Sequence, residues 1–157
     1  MRESWPSSPV AALGVICHRV LAEIARTRVS PSGDWRATFD GLWARASQHL
    51  PAALGDPRDW PYHDRRKAAA RRIGRELAVE LQDDSIEAFP ELELSGLEGR
   101  MVGRADLVLR GSKHEIRDYK TGSAPARDVE QLQLQLYGVM EAAAVGEFPE
   151  RLAYVPF

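Results

Sequence analysis

Two short strand-like stretches, each carrying one aspartate, constrain this chain more than any other feature. They are Gly103-Arg104-Ala105-Asp106-Leu107-Val108-Leu109 and Glu115-Ile116-Arg117-Asp118-Tyr119-Lys120-Thr121-Gly122, parted by a break at Arg110, Gly111 and Ser112. Leu107, Val108 and Leu109 are apolar and Gly111-Ser112 is turn chemistry, so the pair reads as two β-strands joined by a tight turn. Residues two apart on a strand share a face, so Asp118 and Lys120 point the same way. Two carboxylates and an ammonium facing one another are costly without a compensating ligand. A Mg²⁺ or Mn²⁺ ion on the carboxylates, with a substrate phosphate beside the lysine, removes that cost. One such aspartate alone reads more simply as a solvated surface charge. The whole pattern reads as a site.

The pattern also makes a demand on register. A two-residue Gly111-Ser112 loop would set Asp106 opposite Arg117 and turn Asp118 to the other face, because a one-residue slip flips every side chain. For Asp106 and Asp118 to share a face, the loop must hold an odd number of residues or one strand must carry a bulge. Gly111 makes either easy.

Three helices are expected ahead of these strands. Ser8 to about Arg26 has Ser8 as N-cap and Pro9 at the first helical position. Leu13, Ile16, Cys17, Val20, Leu21 and Ile24 recur there at helical spacing. A narrower stripe of Ala11, Gly14, His18, Ala22 and Ala25 leaves His18 as its one large polar group; a lone histidine so placed is ordinarily structural or exposed. After the loop Ser30-Pro31-Ser32-Gly33, Trp35 to about Leu50 forms a second helix on Phe39, Leu42, Trp43 and Ala46. From Tyr62 or Asp64 to about Gln82 a third helix carries Ala69, Ile73, Leu77 and Leu81 on one face. Its first half holds the densest basic cluster of the chain, Arg65, Arg66, Lys67, Arg71, Arg72 and Arg75. Cations near a helix N-terminus oppose the macrodipole, and an anionic backbone docked there would relieve that. A solvated helix face explains the cluster equally well.

Ser85 to Leu94 reads as a strand in which Pro90 argues for an edge or a bulge. Glu87, Glu91 and Glu93 are its acids. Beyond Gly122, Arg127 or Asp128 to about Val145 is a helix containing Gln133 and Tyr137, four apart and so on one face. Leu152-Ala153-Tyr154-Val155 is a last strand. The order helix–strand–strand–strand–helix–strand over 62–157 describes an α/β fold with a mixed central sheet flanked by helices, preceded by two further helices in 1–61, all in one domain spanning 1–157.

Composition narrows the function classes. Charged residues at 28% and hydrophobic ones at 44% suit a folded chain. No apolar run approaches the roughly 20 residues that span a membrane, so no membrane partner is expected. Met1 to Pro6 lacks the apolar core of a signal peptide, and the expected compartment is the cytoplasm. Cys17 is the single cysteine, which excludes an internal disulfide and any cysteine-built zinc or iron–sulfur site from this chain alone. A net charge of −2 is not that of a duplex-coating protein, although local charge is what a nucleic-acid site needs. No Gly-x-x-x-x-Gly-Lys-Ser/Thr loop is present.

The run Gly103-x-x-Asp106 followed by Asp118-Tyr119-Lys120-Thr121-Gly122 resembles the metal-dependent nucleases of the PD-(D/E)xK superfamily, in particular their RecB-type branch. The resemblance spans roughly Gly14 to Phe157. It implies a restriction-endonuclease-like core (αβββαβ) and hydrolysis of DNA phosphodiester bonds, exonuclease-like, in repair, recombination or DNA-end processing. Asp106 and Asp118 would hold one or two Mg²⁺ or Mn²⁺ ions, helped by the Tyr119 carbonyl. Lys120 would position the attacking water or stabilise phosphorane charge. Gly14-x-x-x-His18-x-x-Leu21 is similar to the family's N-terminal helix motif, which makes His18 a further metal ligand. Glu87 matches a strand-opening glutamate that joins the metal site, against the alternative of an exposed strand-end carboxylate. Gln133-x-x-x-Tyr137 resembles the pair that braces the catalytic lysine and touches the DNA backbone, against the alternative of an ordinary core helix. Arg65, Arg66, Arg72, Arg104 and Thr121 are the candidate DNA contacts. Some RecB-type nucleases carry an iron–sulfur cluster on four cysteines, and this chain has no such set. The branch is often fused to or partnered with helicases, so a helicase or another recombination protein is an expected partner. The competing class is a non-catalytic module on a degenerate nuclease fold that binds nucleic acid or protein; a hydrolase of another phosphoester is a weaker competitor.

Overall fold

The computed structural model describes residues 5–120 and 127–157, with the side chain of residue 127 left aside. The chain divides into two compact units, Met1–Glu80 with Phe157, and Leu81–Pro156. The first holds three helices: α1 (Pro9–Thr27), α2 (Trp35–Ala46) and α3 (His63–Glu80). Ser8 stands at the N-cap of α1 with Pro9 next, as expected, but its side chain makes no capping bond. The predicted stripe is the core of this unit. Leu13, Ile16, Cys17, Val20 and Ile24 are fully buried and Leu21 nearly so, each aliphatic side chain contributing about 2 kcal/mol of burial. Asp34 caps α2 by accepting from the Ala37 N–H at 3.1 Å.

One local expectation is corrected here. The second helix was to reach Leu50, but α2 stops at Ala46, where Ser47 returns its N–H and hydroxyl to the Trp43 carbonyl. On α3 the expected stripe holds: Ile73 and Leu77 are buried, as is Leu81 just past the helix, with Ala69 half-buried. His63, Arg66, Ala70, Gly74 and Ala78 widen the buried face.

The second unit is a four-stranded sheet in the order β1-β2-β3-β4. The strands are β1 (Ile86–Gly96), β2 (Met101–Gly111), β3 (Glu115–Lys120) and β4 (Arg151–Pro156). β1–β2 and β2–β3 are antiparallel, and β3–β4 is parallel. A parallel neighbour needs a crossover, which α4 (Arg127–Val145) supplies. Leu94, Ala105, Val108 and Ile116 of the sheet pack with Leu134, Tyr137 and Met140 of α4 to form the core. The element order is the one expected, and β1, which carries Pro90, is an edge strand.

Two buried carboxylates tie the far end of this unit together. Arg110 grips Glu141 of α4 through two bonds of 2.7 and 2.9 Å, and the His114 ring nitrogen lies 3.2 Å from the same carboxylate. Burial would raise the Glu141 pKa, but these partners outweigh it and hold the carboxyl below the ordinary range. Glu115 is likewise buried, against which Arg117 and Lys113 lower its pKa. At the turn, Gly111 has φ 103°, and a Cβ there would lie on the Ser85 carbonyl oxygen, so the turn is open to glycine alone.

Candidate active site

The β2–β3 register runs Leu107↔Arg117, Val108↔Ile116, Leu109↔Glu115, leaving residues 110–114 outside the pairing. That odd span of five is what a shared face requires. One step further along the same register brings Asp106 level with Asp118. The pairing stops short of that step although both strands continue, so the sheet forks there. In the fork the Asp106 carboxylate replaces a backbone acceptor: its Oδ2 takes the Tyr119 N–H at 2.7 Å. A carboxylate accepting from a backbone amide is a strong, directional bond, and it fixes Asp106 against the end of β3.

β1 shows a second irregularity at the same level. Its register with β2 is continuous from Ile86↔Gly111 to Gly96↔Met101 except at Glu91 and Asp106. Glu91 has φ 54°, in the left-handed region. Val108 and Ala105 both belong to the core, although an odd separation puts residues on opposite faces of a regular strand. Phe89 and Leu92 repeat this on β1. The alternation is thus reset on both strands at the level of Asp106, in the manner of a bulge.

Asp118 and Lys120 lie on the face of β3 that carries Ile116, toward α4. Lys120 Nζ stands 2.7 Å from Asp118 Oδ2 and 5.8 Å from the centroid of the Tyr154 ring. Tyr154 is the parallel partner of Asp118 on β4. Burial would lower the Lys120 pKa; the Asp118 carboxylate, with smaller help from Glu130 and Asp106, acts against it, and the net direction is up. On α4, Gln133 Nε2 donates to Tyr137 Oη at 2.7 Å, so the pair is joined as its spacing suggested. Tyr137 also meets the Gly-x-x-Asp motif: a Cβ on Gly103 would lie 2.5 Å from Tyr137 Cε1. The glycine is there because an aromatic ring lies against the backbone.

Glu87 faces Arg110, four positions along β1–β2 from the level of Asp106, or about 13 Å at the ordinary strand rise. Glu91 is the glutamate level with Asp106. His18 belongs to the helical unit, half-buried, with its ring 5.9 Å from that of Phe157. Arg66, expected at a nucleic-acid surface, is corrected to a structural residue: it is 9% exposed and donates to the Val10 carbonyl at 3.2 Å. Arg65 and Arg104 are exposed. Arg72 is exposed too, pairs with Glu76 and lines a groove of about 650 Å³ with Trp35, Arg71 and Arg75. Thr121 lies outside the described residues.

Among the described residues no three His, Cys, Asp or Glu side chains gather as a metal-binding group. The donors expected at the fork, the Asp106 and Asp118 carboxylates with the Tyr119 carbonyl, are all oxygens. This set fits Mg²⁺ or Mn²⁺, which take oxygen ligands, keep several waters and share the rest of their shell with substrate phosphates. Two nearby groups went unnoticed in the sequence, Glu130 and Tyr154. Glu130 stands three residues before Gln133 on α4, a spacing that already places it on the same helix face.

Among the described residues, no helix is long and apolar enough to cross a membrane. A family model of the PD-(D/E)XK nuclease superfamily matches residues 2–157. No curated protein and no solved structure matches the chain.

Proposed function

Since the chain belongs to the PD-(D/E)XK nuclease superfamily, we propose that it is a divalent-metal-dependent deoxyribonuclease of the RecB type, acting on DNA ends in repair or recombination. The observation that carries this reading is the level placement of Asp106 and Asp118 on forked strands, with Lys120 on Asp118. A bound Mg²⁺ or Mn²⁺ supplies Lewis acidity and an acidified water. Asp106 and Asp118 would hold it, with the Tyr119 carbonyl as third donor.

The chain's own groups do the rest. Asp106 is held against the end of β3 by its bond from the Tyr119 amide. Lys120, whose raised pKa keeps it protonated, places a positive charge beside the phosphate and stabilises charge that develops on it. Tyr137, locked by Gln133 and seated on Gly103, holds α4 against the strand that carries Asp106. His18 as a further ligand, and Arg65, Arg72 and Arg104 as backbone contacts, extend the proposal. The chain has no phosphate-loop motif of its own, so unwinding would come from a helicase or another recombination partner.

The test is a linear oligonucleotide incubated with Mg²⁺ or Mn²⁺ against an EDTA control. Cleavage that needs the metal and disappears in Lys120→Ala supports the reading. Binding without cleavage under all metals turns it to a non-catalytic nucleic-acid module.

A further inference from the structure

Lys120 Nζ, at 2.7 Å from Asp118 Oδ2, stands on an oxygen that the proposed cation would take. An ammonium and a divalent ion repel one another, so an ion on that carboxylate weakens the lysine's hold there and favours its move to another partner. Two groups lie beside it. The Tyr154 ring is 5.8 Å from Nζ, close enough for a cation–π contact. Glu130, on the α4 face that also carries Gln133 and Tyr137, is near enough for its charge to act on both Lys120 and Tyr154. Glu130 Oε2 and Tyr154 Oη are both buried and make no hydrogen bond among the described residues. Buried polar atoms left so are uncommon in native proteins and call for a role.

We propose that Glu130 and Tyr154 form a receiving site for the Lys120 ammonium: when a divalent cation coordinates Asp118, Lys120 turns from Asp118 to Glu130, over the Tyr154 ring. Glu130 and Tyr154 are then positioning residues and touch neither metal nor substrate. Lys120 both competes with the ion and, once displaced, is held where an incoming phosphate meets it. The inference rests on the proposed cation site at Asp106 and Asp118.

The experiment is calorimetric titration with Mn²⁺ alone, without nucleic acid, on the full chain. Lys120→Met removes the competing ammonium and should tighten Mn²⁺ binding roughly tenfold. Glu130→Gln removes the receiving charge and should weaken it by a similar factor. Tyr154→Phe, a change of one buried hydroxyl, should weaken it less in the same direction. In the Lys120→Met background, Glu130→Gln should have no effect. A Glu130→Gln effect of equal size with and without Lys120 would mean that the carboxylate acts on the ion directly, and the inference falls while the cation site stands. Absence of Mn²⁺ binding in both the wild-type chain and Lys120→Met overturns the cation site and this inference together.

Discussion

Asp106 Oδ2 accepts the Tyr119 N–H at 2.7 Å, so one of the two aspartates closes the strand fork as well as facing it. The two duties separate by substitution. Asp106→Asn keeps an acceptor for the amide, while Asp106→Ala leaves it without this partner at a cost of about 1–3 kcal/mol. Urea denaturation should therefore rank wild type and Asn together and Ala below them. Both variants should lose metal-dependent cleavage.

Gly103→Ala should destabilise the chain by about 1–3 kcal/mol, the usual cost of overpacking. The added methyl would come within 2.5 Å of Tyr137 Cε1. Tyr137→Leu, which removes the ring, should recover part of that loss, and a double-mutant cycle from thermal unfolding measures the coupling.

Acid should undo the tie between α4 and the hairpin. Glu141 and Glu115 have lowered folded pKa values, so the stability they contribute is complete above the ordinary glutamate range and is lost as pH falls through the folded values. Unfolding midpoints should drop steeply below about pH 4.3. Glu141→Gln, expected to cost about 3 kcal/mol at neutral pH by leaving Arg110 without its carboxylate, should flatten that drop.

Cys17 should be inert in the folded protein. It is fully buried, and burial pushes its thiol up to about 12, with Arg66 pulling only weakly the other way. A chromogenic disulfide reagent at pH 8 should leave it unlabelled until denaturant is added. Rapid labelling of the native chain would contradict the packing of α1.

Much of the fold was legible because it follows from spacing. Leu13, Ile16, Val20 and Ile24 recur at helical intervals and are buried together. Asp118 and Lys120, two apart, share a face by the strand repeat alone. Gln133 and Tyr137 meet for the corresponding helical reason. What escaped depends on partners distant in sequence. Arg66 reads as a surface cation until the Val10 carbonyl, 56 residues away, is seen to receive it. Pro90 signals an edge or a bulge, but not that the positive φ of the neighbouring Glu91 would reset the alternation beside Asp106. Glu130 gains meaning only when α4 lays it near side chains from two different strands.

The turn between β2 and β3 has a consequence for how this chain can vary. The pairing of Leu107 with Arg117, rather than the number of residues in the turn, keeps the two aspartates on one side. A single residue added or removed between 110 and 114 does harm only if the strands take it up as a slip, which would carry one aspartate to the opposite face. Variants that retain the chemistry should therefore tolerate changes of turn length but not of strand register.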